Sequence, residues 1–343
     1  MQKQRTQRYQ LLLLLLAIIC MGSILFSATM GYLSISIHDI VRICGEQFGL
    51  SPAGPPSTES YVLFDVRFPR ILLAVFVGAA LATSGVIYQG ILLNPLADPY
   101  TLGISSGAAF GAAISLIAGI SLPVQLSTPL FAFCGALCTL YVVMRISTFD
   151  GQISPQTLIL SGVIVSAILS AGISFIKYLA DEQVAVIIFW LMGSFAASTW
   201  DAVLLVGISF FLGFCICLYF GRDLNIISLG KRSSDSLGVD TARVRRILLI
   251  TASLITAVSV AVTGIIGFVG LIVPHLMRYV IGPDNRWLLP ASALSGAIIL
   301  LGADTLTRAV LPAEVPIGVL TALIGGPFFC IIFRSKQRGK RYD

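Results

Sequence analysis

Charged residues are scarce in this sequence, and their scarcity excludes a soluble fold. Asp, Glu, Lys and Arg make up 11% of the 343 residues, hydrophobic residues make up 57%, and the mean hydropathy is +0.94. An ordinary soluble domain has about a quarter of its residues charged. The composition therefore predicts an all-α membrane protein that crosses the bilayer several times.

Residues that bind metals or form disulfides are also few. The sequence has two histidines, His38 and His275, which lie far apart, and seven cysteines, which fall mostly inside apolar runs and form no C-x-x-C pair. Such cysteines are typical of small core residues rather than of a disulfide framework or a metal site. We therefore expect no metal and no cofactor on this chain.

Two further absences concern energy coupling. No G-x-x-x-x-G-K-[ST] sequence occurs, so an ATP-driven protein of this kind would need another chain to bind the nucleotide. Asp304 is the only acid within an apolar run, and Arg308 one helical turn away predicts a structural ion pair. An ion-coupled secondary transporter would need a coupling-ion site near mid-membrane, and a membrane-embedded enzyme would need clustered His, Asp or Ser. The sequence shows neither pattern.

Long apolar runs predict ten transmembrane helices. Eight runs are each about as long as one bilayer crossing, and they occupy residues 11–32, 71–93, 100–122, 128–144, 156–176, 202–220, 287–307 and 315–333. The interval 247–277 has no charged residue in 31 positions, which is more than one helix needs. Gly264, Gly267, Gly270 and Pro274 predict a break in its second half, with one full helix and one short, discontinuous helix.

The basic residues orient these helices. Residues 221–246 carry six basic residues against three acidic ones, and such an excess marks a cytoplasmic loop. When both termini are placed in the cytoplasm, 17 of the 22 basic residues lie on the cytoplasmic side. We therefore expect cytoplasmic termini, an outer segment at residues 33–70 and a partner-docking loop at residues 221–246. Because the positive charge follows this bias, it gives no reason to expect nucleic acid binding.

The connection NPLADP at residues 94–99 predicts a tight inner turn. Asp98 is placed to cap the following helix, and Pro99 suits the first position of that helix. We therefore expect the next helix to begin at about residue 100.

Two long stretches carry a family resemblance. One is RFPRILLAVFVGAALATSGVIYQGILLNPLADPYTLGISSG at residues 67–107. The other, at residues 264–327, contains GFVGLIVPHLMR, then Ala303-Asp304, and the start of LPAEVPIGVLTALIGGPFF. Together they resemble the permease family of iron-chelate and vitamin B12 ABC importers, and the resemblance extends over nearly the whole chain. It implies one permease domain over residues 1–343 with the ten-helix fold of type II ABC importers.

The resemblance also implies roles for particular residues. Arg67, Arg70 and Arg308 match outward-facing arginines that pair with glutamates of the binding protein, and arginine suits such bidentate pairing. The coupling helix that seats in the ATPase matches Ser233, Ser234, Asp235, Ser236, Leu237, Gly238 and Val239. An inner gate loop matches Ser154, Pro155 and Gln156, although the B12 permease has small hydroxyl residues where this chain has Pro155 and Gln156.

The partners and cargo follow from the same resemblance. The family implies two ATP-binding subunits that hold ATP and Mg, an extracytoplasmic binding protein, and a second permease subunit that is a copy of this chain or a related one. The chain itself would be a transport subunit of a bacterial inner membrane, surrounded by lipid, and not an enzyme. Its cargo is a ferric siderophore as the first expectation, with haem, cobalamin or a small oxyanion as alternatives.

Overall fold

The computed structural model describes residues 2–31, 33–47, 49, 57–118, 124–149, 152–309 and 314–339. Most of them are helical. In chain order the helices are α1 (Gln2–Thr29), α2 (Ile37–Gln47), α3 (Thr58–Tyr61), α4 (Phe68–Ile91), α5 (Ile104–Ile117), α6 (Val124–Ser147), α7 (Pro155–Leu179), α8 (Val184–Leu191), α9 (Trp200–Tyr219), α10 (Gly221–Ile227), α11 (Lys231–Ser236), α12 (Thr241–Thr263), α13 (Val269–Ile281), α14 (Asn285–Ala309) and α15 (Ile317–Gly339). A π-helical stretch (Val62–Arg67) joins α3 to α4, a 3-10 turn (Asp181–Gln183) precedes α8, and the two-residue strands β1 (Thr148–Phe149) and β2 (Gln152–Ile153) pair before α7.

The predicted polytopic, all-α fold is confirmed. Among the described residues, seven helical segments are long and apolar enough to cross a membrane. Three shorter apolar helices, α5, α13 and the apolar part of α15, account for the remaining predicted spans. Helix α5 has 14 residues, so it is shorter than the full crossing that the apolar run at residues 100–122 predicts.

Helix α4 lies at the centre of the bundle and is buried along most of its length. A Cβ atom on Gly78 would collide with the carbonyl group of Gly296 in α14, and one on Gly85 would collide with that of Gly270 in α13. Such close approach at small residues is typical of membrane helices, because lipid provides no hydrophobic force between them. By contrast, α7 and α9 leave apolar side chains such as Ile168 and Leu212 exposed.

The break predicted within residues 247–277 is confirmed. Helix α12 ends at Thr263, and the backbone turns through positive φ at Gly264 (73°) and Phe268 (67°) before α13 begins. Gly270 and Pro274 lie inside α13 rather than at a break.

Backbone hydrogen bonds connect residues 193 and 194 to the end of α12 and to the start of α15. The Ser194 N–H donates to the carbonyl of Thr263 at 2.8 Å, and the Ile317 N–H donates to the carbonyl of Gly193 at 3.2 Å. Irregular backbone is tolerated at membrane depth only where protein groups satisfy it. Residues 192–194 therefore join the break to the start of α15.

The expected start of the helix after the NPLADP turn is wrong. Helix α5 begins at Ile104, after Gly103 at a φ of 76°. The Oδ1 atom of Asp98 instead accepts hydrogen bonds from the N–H groups of Tyr100 (3.1 Å) and Thr101 (3.0 Å). Asp98 thus caps a separate turn, which delays the helix by four residues.

Candidate functional site

Arg70 forms the centre of a charged cluster at one end of the bundle. Its Nε donates to both carboxylate oxygens of Asp304, at 3.0 and 3.2 Å, and its Nη2 lies 3.0 Å from Oδ1 of the same residue. Its Nη1 donates to both oxygens of Glu314, at 3.2 Å each. The Asp304 side chain is 1% exposed and that of Glu314 is 55% exposed. Arg70 therefore holds one buried and one accessible carboxylate.

Arg67 and Arg308 bind the C-terminal end of α1. The Nη1 of Arg67 donates to the carbonyl of Ala28 at 2.6 Å. Arg308 donates through Nη1 to the carbonyl of Met30 at 2.8 Å and through Nη2 to the carbonyl of Ser27 at 2.9 Å. Carbonyl groups at a helix C-terminus lack partners within the helix and favour nearby cations. Both arginines therefore stabilise the end of α1.

The structure brings the three predicted docking arginines to the same end of the bundle, and we call this group the arginine end: Arg70 and Arg308 contact Asp304, and Arg67 binds the same end of α1 as Arg308. The expected Asp304–Arg308 pair is the longer contact, at 3.9 Å, and Arg70 is the principal partner. Arg67 and Arg70 are buried and bonded to the chain's own oxygen atoms. Their predicted docking role remains a prediction.

The predicted coupling residues form a compact projection at the other end, which we call the basic end. Buried Ser234 donates its hydroxyl to the carbonyls of Ile226 (3.1 Å) and Gly230 (2.9 Å). The Val239 N–H donates to the carbonyl of Ser234 at 3.1 Å. These bonds fix α11 against α10. The projection is therefore held by its own contacts.

The side chains of this projection divide into exposed and anchored ones. Leu237 is 60% exposed and Leu229, just before α11, is 66% exposed. Asp235, Ser236 and Gly238 are exposed and Ser233 is partly buried. Val239, by contrast, packs against the main apolar core. The predicted coupling role of these residues remains a prediction.

Asn225 attaches this projection to α14. Its Nδ2 donates to Asp284 Oδ1 at 2.7 Å, and its Oδ1 accepts from the Asn285 N–H at 2.8 Å. Asp284 also accepts from Arg286 Nη2 at 2.6 Å, and this bond, followed by the one from Asn225, holds the pKa of the Asp284 carboxyl below its usual range. Sequence reasoning missed this cluster, because about 60 positions separate Asn225 from its partners.

The predicted gate residues lie at the start of α7, near the basic end. Ser154 precedes the helix, Pro155 occupies its first turn, and the Ser154 hydroxyl donates to Gln156 Oε1 at 3.0 Å. Strand β2, which ends at the neighbouring Ile153, contacts α12. This position is compatible with an inner gate, which remains a prediction. Within the described residues, no group of three or more His, Cys, Asp or Glu side chains is placed to hold a metal ion.

Comparison with known proteins agrees with this architecture. The chain is 43% identical over 286 residues to the cobalamin import system permease protein BtuC of Halobacterium salinarum, covering 83% of this chain and 76% of that protein. It is 40% identical over 334 residues to the hemin transport system permease protein HmuU of Yersinia pestis, covering 95% of both. It is also 40% identical over 332 residues to the molybdate import system permease protein MolB of Haemophilus influenzae, covering 96% and 95%.

A solved structure of a metal-chelate type ABC transporter in an inward-facing conformation superposes with a TM-score of 0.82 at 36% identity, covering 94% of this chain and 98% of that one. The model of the FecCD transport family matches residues 13–335. With that match over most of its length, this chain belongs to the FecCD transport family and is a multi-pass permease of the ABC importer type.

Proposed function

We propose that this chain carries an iron chelate across a bacterial inner membrane, with a ferric siderophore as the first cargo and haem or cobalamin next. The relatives named for cobalamin and hemin support a bulky metal chelate, and the structural neighbour is of the metal-chelate type. The relative named for molybdate keeps a small oxyanion as the alternative cargo. The substrate passes through unchanged.

The proposed assembly contains two ATP-binding subunits, a second permease subunit and an extracytoplasmic binding protein. ATP and Mg act on the ATP-binding subunits, so this chain needs no cofactor of its own. Both termini and the basic end face the cytoplasm, and the arginine end faces outward. Arg67, Arg70 and Arg308 receive the binding protein, while Ser154, Pro155 and Gln156 form the inner gate.

The projection at residues 229–239 is the observation that carries the proposed coupling to the ATP-binding subunits. It presents Leu229 and Leu237 to solvent on a framework fixed by Ser234. Asn225 ties the same framework to α14. The exposed leucines can bind another protein, and the contact of Asn225 with the start of α14 can transmit a rigid-body movement of that protein to this helix.

The test is ATP hydrolysis by the complex in nanodiscs. The chain is co-expressed with the ATP-binding subunit, and Leu237→Arg is compared with Leu96→Arg, an exposed leucine in the turn between α4 and α5. We expect Leu237→Arg to lose the complex and its stimulated turnover, and Leu96→Arg to keep both. Substrate movement by the chain alone under an ion gradient would contradict the proposal and favour a secondary transporter.

A further inference from the structure

We propose that Glu314 is a resident carboxylate that an acidic docking partner displaces from Arg70. The inference rests on the proposed function, in which an extracytoplasmic protein docks at the arginine end. It assigns to Glu314 the regulation of that docking, in competition with the carboxylates of the partner.

The two carboxylates on Arg70 differ in how easily they can leave. Asp304 is 1% exposed and is held through both Nε and Nη2. Removing it from Arg70 would leave a buried carboxylate with only its longer contact to Arg308, at 3.9 Å, which is strongly unfavourable. Glu314 is 55% exposed and is held through Nη1 alone. Water can solvate Glu314 when it leaves, so it is the exchangeable one.

The other two arginines are occupied by groups that belong to the fold. Arg67 and Arg308 bind the carbonyls at the end of α1, including those of Ala28 and Met30. Those carbonyls would lose their partners if the arginines turned outward. The Nη1 atom of Arg70, which Glu314 occupies, is therefore the position at which an incoming carboxylate gains a charge-assisted hydrogen bond with the least loss of internal bonding.

Displacement of Glu314 would also affect the backbone contacts at the start of α15. Glu314 lies three residues before Ile317, whose N–H donates to the carbonyl of Gly193 at 3.2 Å. The next amide, that of Gly318, donates to the carbonyl of Met192 at 3.0 Å. Residues 192–194 in turn brace the break between α12 and α13. The exchange at Arg70 thus connects docking outside to the start of α15 and to that break.

The experiment measures binding of the cognate binding protein to the importer complex in nanodiscs. Glu314→Gln removes the competing charge and keeps the side-chain shape, so we expect the association constant to rise about tenfold. Glu59→Gln is the matched control, because Glu59 is a partly exposed glutamate paired with Arg42 at 3.7 Å rather than with Arg70. We expect that variant to bind as the wild type does.

A second background separates exchange at Arg70 from a general change of surface charge. In the double variant Arg70→Gln with Asp304→Asn, the guanidinium that holds Glu314 is absent, so adding Glu314→Gln should leave binding unchanged. Binding that is unaffected by Glu314→Gln in the wild-type background, or raised equally in both backgrounds, overturns this inference and leaves the proposed function standing. Absence of binding to the wild type and to Glu314→Gln alike overturns both.

Discussion

Asn225 caps the first turn of α14 through Asn285. The Oδ1 of Asn225 accepts hydrogen bonds from the backbone N–H and the side-chain Nδ2 of Asn285, each at 2.8 Å. The first backbone N–H groups of a helix lack acceptors within the helix. Here Asn225 of α10 supplies the acceptor for one of these N–H groups. Helix α14 then runs for 25 residues, which is about 37 Å, and carries Asp304 to the arginine end. A single amide side chain therefore links the basic end to the charged cluster on the opposite side.

This link predicts that Asn225→Ala uncouples ATP hydrolysis from transport. The exposed leucines remain, so the complex should assemble and hydrolyse ATP, whereas α14 should no longer follow the movement of α10. We expect substrate moved per ATP to fall about tenfold, because a loss of 1 to 2 kcal/mol of coupling corresponds to that factor. The measurement is uptake and phosphate release in the same proteoliposomes.

The matched control for this prediction is Asn94→Ala. Asn94 Oδ1 also accepts a backbone N–H, from Leu96 at 3.0 Å, but within its own turn. We expect normal transport per ATP for that variant. Wild-type efficiency in Asn225→Ala would show that the movement reaches the membrane helices by another route.

The buried pair of Arg70 and Asp304 predicts non-additive effects on stability. Arg70→Met leaves the Asp304 carboxylate buried without its main partner and should cost about 3 to 5 kcal/mol. The double variant Arg70→Met with Asp304→Leu removes both charges and should recover most of that loss. Unfolding by denaturant in detergent is measured for the wild type, Arg70→Met, Asp304→Leu and the double variant, because additivity is judged from both single changes. Equal or additive destabilisation in the double variant would contradict this account.

The features that could be predicted from the sequence are those set by local composition. Apolar runs predict the spans, because a helix that crosses the bilayer must be hydrophobic over its whole length. The glycines after residue 263 predict the break at Gly264. Contacts between charged residues could not be predicted from local composition. The spacing of one helical turn predicts Arg308 as the partner of Asp304, whereas the principal partner, Arg70, is 234 positions distant. Such pairs depend on which helices pack together, and periodicity within one helix carries no information about that.

The contact between α4 and α14 predicts opposite effects for two glycines on one helix. A Cβ atom on Gly296 would collide with the backbone of Gly78, whereas one on Gly302 meets nothing within 4 Å. We expect Gly296→Ala to destabilise the fold by about 2 kcal/mol or more. Gly302→Ala should be neutral or stabilising by up to about 1 kcal/mol, because alanine has the higher helix propensity. Denaturation of both variants in detergent tests the difference, and equal stability would contradict the close packing.

Asp98 predicts a pH-dependent stability. Burial raises the pKa of its carboxyl to about 6, so ionisation costs stability in full above pH 6, and this cost disappears as pH falls towards the unfolded value of about 4. Asp98→Asn keeps the Oδ1 that accepts from Tyr100 and Thr101 and carries no charge. We expect this variant to be more stable than the wild type by on the order of 2 kcal/mol at pH 7.5, with the difference vanishing near pH 4. Denaturation between pH 4 and pH 8, with Asp235→Asn on the exposed projection as the control, measures this, and a difference that is independent of pH would contradict the assignment.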